Sequence, residues 1–80
     1  MPYNGWTNHA TWNVALWIGN DEGLYRLAKH TTRRVIGDGS PYKALVEELR
    51  ELGTVETPDR VSYSDSGLDI DELDQMMREL

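Results

Sequence analysis

The chain has 80 residues and no cysteine, which limits it to a small apolar core and excludes disulfides and thiolate metal sites. No apolar stretch approaches the ~20 residues that a membrane-spanning helix needs. The first residues also lack the basic segment and apolar run of a signal peptide. We therefore predict one globular domain over residues 1–80, with a cytoplasmic location and no membrane partner.

The formal net charge of −6 is unevenly distributed along the chain. Residues 1–46 contain five Lys and Arg against three Asp and Glu, a net charge of +2, whereas residues 47–80 contain three against eleven, a net charge of −8. An acidic chain repels nucleic acid. We therefore do not expect DNA or RNA as a partner, although the first half is locally basic.

Residues 6–20 contain all three tryptophans and predict a helix. Over residues 12–18 the apolar side chains cover every side of that helix, which is typical of a helix buried by its neighbours. We therefore place Trp12 in the core and expect this helix at the centre of the domain. Thr7 is the expected N-cap, and Gly19 is expected to end the helix.

A second helix is predicted over residues 21–36, with Asn20 as its N-cap. Its apolar positions follow helical spacing and comprise Leu24, Leu27, Ala28, Thr31 and Val35. A basic stripe runs beside them and consists of Arg26, Lys29, His30, Arg33 and Arg34. This stripe is either a contact surface for a phosphate backbone or acidic partner, or a complement to the chain's own acidic half. The second interpretation is favoured.

A third helix is predicted to start at Pro41 after the N-cap Ser40 and to stop at Gly53, and a fourth to start after Asp69. Their buried faces are predicted to be Tyr42, Leu45, Val46, Leu49 and Leu52, and Ile70, Leu73, Met76, Met77 and Leu80. Residues 54–64 contain turn residues and alternating apolar residues, which predict a short strand or an extended arm. The fold class is thus mainly α, a compact domain of three to four helices around the buried Trp-rich helix.

The opening from Asn4 to Trp17, N-G-W-T-N-H-A-T-W-N-V-A-L-W, resembles that of a family of small proteins encoded largely by tailed phages, including cyanophages. The family opening is N-G-W-T-N-Y-E-T-W-N-V-A-L-W, so this chain departs from it at His9 and Ala10. Thr57-Pro58-Asp59, Asp65 and Leu68-Asp69 also resemble the family. The resemblance implies a phage setting and no particular activity.

Residue types that bind metals or perform acid–base chemistry do not occur at suitable spacings. His9 and His30 have no carboxylate three or four residues away. The acidic run of residues 65–71 lacks the glycine and the final acid of a calcium-binding loop. We therefore expect no metal, no cofactor and no catalytic residue, and an enzyme is the least favoured class of function.

The expected function is a small non-enzymatic interaction module that binds a host or phage protein. Trp and Tyr rings and Arg side chains are typical anchors of protein interfaces. The candidate partner-binding residues are Tyr3, Trp6, Trp17, Tyr25, Arg26, Lys29, Arg33 and Arg34. A homodimer through the Trp17 side is the other expected partner. The alternative function is an acidic DNA mimic that inhibits a nucleic-acid-binding protein.

Overall fold

Four α-helices follow one another in the computed structural model, which describes residues 5–80. They are α1 (His9–Asn20), α2 (Glu22–Arg34), α3 (Pro41–Glu51) and α4 (Ile70–Arg78). α2 and α4 each pack against all three other helices, and α1 and α3 are joined through them. The mainly α fold is thereby confirmed. None of the helices within residues 5–80 is long and apolar enough to cross a membrane.

One continuous core lies between the four helices and the loop before α4. Its buried apolar residues are Val14, Ala15, Ile18, Ala28, Tyr42, Leu45, Leu49, Tyr63, Leu68, Leu73 and Met77. The radius of gyration of 11.5 Å agrees with the roughly 11.6 Å expected of 80 residues folded together. The core therefore draws on every helix and on one loop.

The first helix differs from its prediction at its start, at its end and on its outer side. Asn8, not Thr7, is the N-cap, because its side chain accepts from the Thr11 N–H. Gly19 does not end the helix, which continues to Asn20. Trp12 is only half-buried, and its ring lies at a tilt of 49° to that of His9 at a centroid distance of 5.4 Å. The prediction that Trp12 is core is wrong, because α1 is covered on one face and leaves the other outward.

The second helix is shorter than predicted. Asp21, not Asn20, is its N-cap and accepts from the Leu24 N–H. The helix ends at Arg34, one residue before the extended backbone of Val35. The predicted caps Ser40 and Asp69 of the last two helices are both confirmed.

The end of α3 exposes a residue that the helical pattern had placed inside. Gly53, at φ 80°, provides the left-handed conformation that terminates the helix. Leu52 caps the helix just before it and is 69% exposed. The prediction that Leu52 lies on the buried face is therefore wrong, because the helix ends at this residue and leaves its side chain in solvent.

Residues 55–63 form a short hairpin rather than a strand of a sheet. Glu56 and Ser62 make an isolated antiparallel bridge. The Thr57 N–H donates to the Val61 carbonyl at 2.8 Å, and the Arg60 N–H donates to the Thr57 carbonyl at 2.8 Å. The predicted extended piece thus exists as two extended arms around a tight turn.

We expect that replacing Thr31 by valine raises the free energy of unfolding by roughly 1 kcal/mol. The Thr31 side chain is fully buried, and its hydroxyl has no hydrogen-bond partner among the described residues. Thr32→Val is the matched control, because the Thr32 hydroxyl donates to the Ala28 carbonyl at 2.7 Å and its loss removes a bond. Thermal unfolding measures the stability of both variants. A lower melting temperature for Thr31→Val would mean that the hydroxyl has a partner after all.

Candidate functional site

The start of α1 is joined to the start of α4 by polar side chains from both helices. The Thr7 N–H donates to Glu72 Oε1, and the Thr7 hydroxyl donates to Asp69 Oδ2, each at 2.9 Å. The Asp69 N–H donates in turn to the Thr11 hydroxyl at 3.0 Å. Thr7 is thus a bridge between helices rather than a cap, and these polar residues hold the fold together.

A second polar cluster fixes the hairpin against α1. Asn13 is 2% exposed, and its side chain accepts from the Thr57 hydroxyl at 2.7 Å while donating to Asp59 Oδ2 at 2.8 Å. The same Asp59 oxygen accepts from Trp17 Nε1 at 2.9 Å. The turn of the hairpin is therefore held by the same helix that carries the Trp-rich motif. The two stretches on which the family resemblance rests meet in these two clusters.

Two of these carboxylates are stabilised in their charged form. Hydrogen bonds from Asn13 and Trp17 lower the pKa of Asp59. The backbone N–H of Glu72 and the hydroxyl of Thr7 lower the pKa of Asp69. Both groups are therefore charged at neutral pH and hold their partners as anions.

We expect the protein to lose stability as the pH falls below about 4, near the pKa of an unfolded aspartate. A carboxylate whose pKa is lower in the folded state than in the unfolded state stabilises the fold at pH values above the unfolded-state pKa. This stabilisation is lost as the pH falls and the carboxylate is protonated. The melting temperature of Asp59→Asn should lie below that of the wild type at pH 7, and the gap should narrow toward pH 3. Asp38→Asn is the control, because Asp38 accepts no hydrogen bond among the described residues. If the difference in melting temperature between wild type and Asp59→Asn is the same at pH 7 and pH 3, the charge of Asp59 does not contribute to stability.

The hairpin forms one wall of an open cavity, which we call the hairpin cleft. It has a volume of about 600 Å³ and is open to solvent. The other walls are the end of α1, the first turns of α2 and the end of α3. Its lining residues are Trp17, Asp21, Gly23, Leu24, Leu27, Leu49, Leu52, Thr54, Glu56, Thr57, Pro58, Arg60 and Tyr63. Leucine, tryptophan and tyrosine side chains thus lie beside three charged residues.

The charged residues of the hairpin cleft differ in whether their side chains bond to other residues of the protein. Asp21 accepts the capping hydrogen bond of α2. Burial, with a smaller contribution from the charge of Asp21, raises the pKa of Tyr63, so this phenol stays neutral. Glu56 and Arg60 make no side-chain hydrogen bond or ion pair among the described residues. Two opposite charges on the rim are therefore available to a ligand.

The aromatic residues expected to bind a partner lie in different places. Trp17 lines the hairpin cleft, and Trp6 lines a separate, shallower depression beside α4. Tyr25 lies on α2, where Lys29 Nζ is 5.8 Å from its ring centroid. Tyr3 lies outside the described residues. The structure thus does not gather these rings into one surface.

The basic stripe is partly paired within the molecule. Arg34 forms an ion pair with Glu48 of α3, and Arg26 forms one with Glu22 of its own helix. Arg33 is exposed and has no ion-pair partner among residues 5–80. Of the five basic residues, Arg34 alone forms an ion pair with the acidic half of the chain among residues 5–80.

Of the residues that line the cleft, sequence reasoning named only Trp17 as a site residue, and Leu52 and Arg60 are among those that it missed. The Gly53 that follows Leu52 was the available signal, since a helix that stops there exposes its last apolar residue. Arg60 carried no signal, because its place depends on the turn that begins at Thr57. Within residues 5–80 no group of three or more acidic or histidine side chains is arranged to hold a metal ion.

The fold and the site together define a small four-helix domain with a hairpin-walled apolar cleft. The chain belongs to the family of unknown function DUF7249, whose model matches residues 1–80. No curated protein and no solved structure matches it.

Proposed function

We propose that this protein is a non-enzymatic binding module that holds a segment of a partner protein in the hairpin cleft. The observation that carries the proposal is the apolar surface left exposed there. Leu52, which lines the cleft, is 69% exposed, and Val55, which lies beside the lining residues Thr54 and Glu56 in the chain, is 58% exposed. Clustered apolar side chains that a small domain leaves in water are typical of interaction surfaces.

The composition of the hairpin cleft supports a protein segment as its occupant. Protein interfaces centre on aromatic and arginine anchors surrounded by a polar rim. The cleft offers the half-buried Trp17 beside Leu24, Leu27 and Leu52, with Arg60 and Glu56 at the rim. A volume of about 600 Å³ that opens to solvent accommodates one or two large side chains projecting from a partner backbone.

The use of the carboxylates favours binding over catalysis. Four aspartates, Asp21, Asp59, Asp69 and Asp74, each accept hydrogen bonds that cap a helix or join two elements. Groups committed in this way are poorly suited to accept and release a proton during a reaction. The resemblance of the opening to small phage proteins supports a partner from a phage or from its infected host.

The test is a selection from a displayed random peptide library on three immobilised proteins. Wild type and the control Leu16→Glu should enrich the same peptides, because Leu16 is exposed on α1 and does not line the cleft. Leu52→Glu should reduce that enrichment at least tenfold, since it places a charge on the apolar rim. Leu52 is exposed, so the variant should keep the melting temperature of the wild type. Equal enrichment on Leu52→Glu, or none on wild type, would contradict the proposal.

A further inference from the structure

Arg60 occupies a backbone conformation that ordinarily belongs to glycine. Its φ is 68°, and it is the one non-glycine residue with positive φ among those described. It follows the turn that starts at Thr57, at the left-handed position that hairpins of this kind usually fill with glycine. Keeping a bulky side chain there is unfavourable for folding, so the side chain calls for an explanation outside the hairpin.

The Arg60 guanidinium also has no partner within the described molecule. Arg26, Arg34 and Arg50 each form an ion pair with a glutamate. Arg60 forms none, although Asp21 and Glu56 line the same cleft. An unpaired cation is thus held at the rim of an apolar cleft by a strained turn.

Resting on the proposed function of the hairpin cleft, we propose that Arg60 recognises a single carboxylate beside the apolar anchor of the bound segment. A guanidinium presents a planar fork of N–H donors that matches a carboxylate with two hydrogen bonds. Asp21 and Glu56 on the same cleft repel a second acid. The preferred segment therefore pairs one large apolar residue with one aspartate or glutamate.

The turn that carries Arg60 is rigid enough to position it. Its first residue, Thr57, is 2% exposed, and its hydroxyl donates to Asn13 and accepts from the Val61 N–H at 3.2 Å. Asp59, next to Arg60, is held by Asn13 and Trp17. The backbone of Arg60 is thus fixed relative to the cleft wall, which limits the directions in which its side chain can reach.

The same displayed library, selected in parallel on wild type, Arg60→Gly and Arg60→Glu, tests the assignment. Peptides enriched on wild type should carry Asp or Glu within about two positions of the apolar anchor. Arg60→Glu should prefer Lys or Arg there, and Arg60→Gly should show no preference, with the apolar anchor unchanged in all three. Arg60→Gly should also melt no lower than wild type, because glycine accepts the positive φ. These results would support Arg60 as the residue that determines the charge preference.

A direct affinity measurement completes the test. The leading wild-type peptide should bind wild type about threefold to fivefold more tightly than its Asp→Asn or Glu→Gln version, as exposed ion pairs do, and Arg60→Gly should not distinguish the two. Equal acid preference on Arg60→Gly and wild type would overturn the role of Arg60. Selection of apolar peptides that lack acidic residues and still lose enrichment on Leu52→Glu would also overturn the role of Arg60, but it would leave the proposed function intact. Equal enrichment on wild type and Leu52→Glu would overturn both the role of Arg60 and the proposed function.

Discussion

Leu73→Ala is expected to lower the free energy of unfolding by about 3–5 kcal/mol and to leave much of the chain unfolded at 37 °C. Leu73 is completely buried on α4, the helix that packs against α1, α2 and α3. Removing its side chain leaves a cavity in the core that the helices share, and a domain of this size has little stability to spare. Urea unfolding followed by circular dichroism measures the loss.

The matched controls for Leu73→Ala are Leu16→Ala and Trp12→Ala on the outward side of α1. Leu16 is 37% exposed, so its truncation should cost less than about 1 kcal/mol. Trp12 is half-buried, and its truncation should cost roughly 1–2 kcal/mol. Trp12→Ala losing as much as Leu73→Ala would show that the core extends to the outer side of α1.

Asn13→Ala is expected to cost about 2–3 kcal/mol, much more than an exposed asparagine of the same helix. Its amide joins Thr57 to Asp59 and is almost completely buried. Without it, the buried Thr57 hydroxyl loses its acceptor and Asp59 loses a donor. Asn20→Ala is the control, because Asn20 is exposed and its side chain bonds, among residues 5–80, only to the Leu16 carbonyl of its own helix.

A double-mutant cycle with Thr57→Val separates the bridge from general damage to α1. If the Asn13–Thr57 bond is the reason for the loss, the two substitutions together should cost less than their individual losses added, by about 0.5–3 kcal/mol. Losses that simply add would mean that Asn13 acts independently of the hairpin.

The sequence was sufficient to predict the features of the fold that depend on local chemistry. Ser40 with Pro41 and Asp69 in front of α4 specify helix starts through a side-chain oxygen close in the chain. Leu45 and Leu73 follow helical spacing and are buried. Neither kind of signal requires knowledge of distant contacts.

The errors arose where distant residues decide the role of a local pattern. Thr7 and Asn8 are both good N-caps, and Asn8 takes that place while Thr7 bonds to Asp69 and Glu72, more than sixty residues away. Likewise, the apolar pattern around Trp12 does not reveal which side of α1 the other helices cover. Thr7 was predicted to be a cap, and no role was predicted for Asn8, Thr11 or Asn13, which all bond to distant residues.

The hairpin cleft could be predicted only in part. Trp17 was recognised as a candidate, and it lines the cleft. Leu52 was assigned to the core from its helical spacing, although Gly53 was already predicted to end the helix. The position of Arg60 depends on a turn held by Asn13, forty-odd residues earlier. Because three helices and a hairpin form the cleft together, no regular spacing of residues along the chain predicts it.

The most direct test of the hairpin cleft as the binding site is an amide chemical-shift titration of the wild-type protein with its leading selected peptide. The largest shifts should fall on Leu24, Leu27, Leu52 and the residues around Pro58 (54–57, 59 and 60), and Leu52→Glu should remove them. Shifts concentrated on the basic stripe of α2, on the outer side of α1 around Leu16, or on the acidic residues of α3 would contradict the account and place the interaction elsewhere.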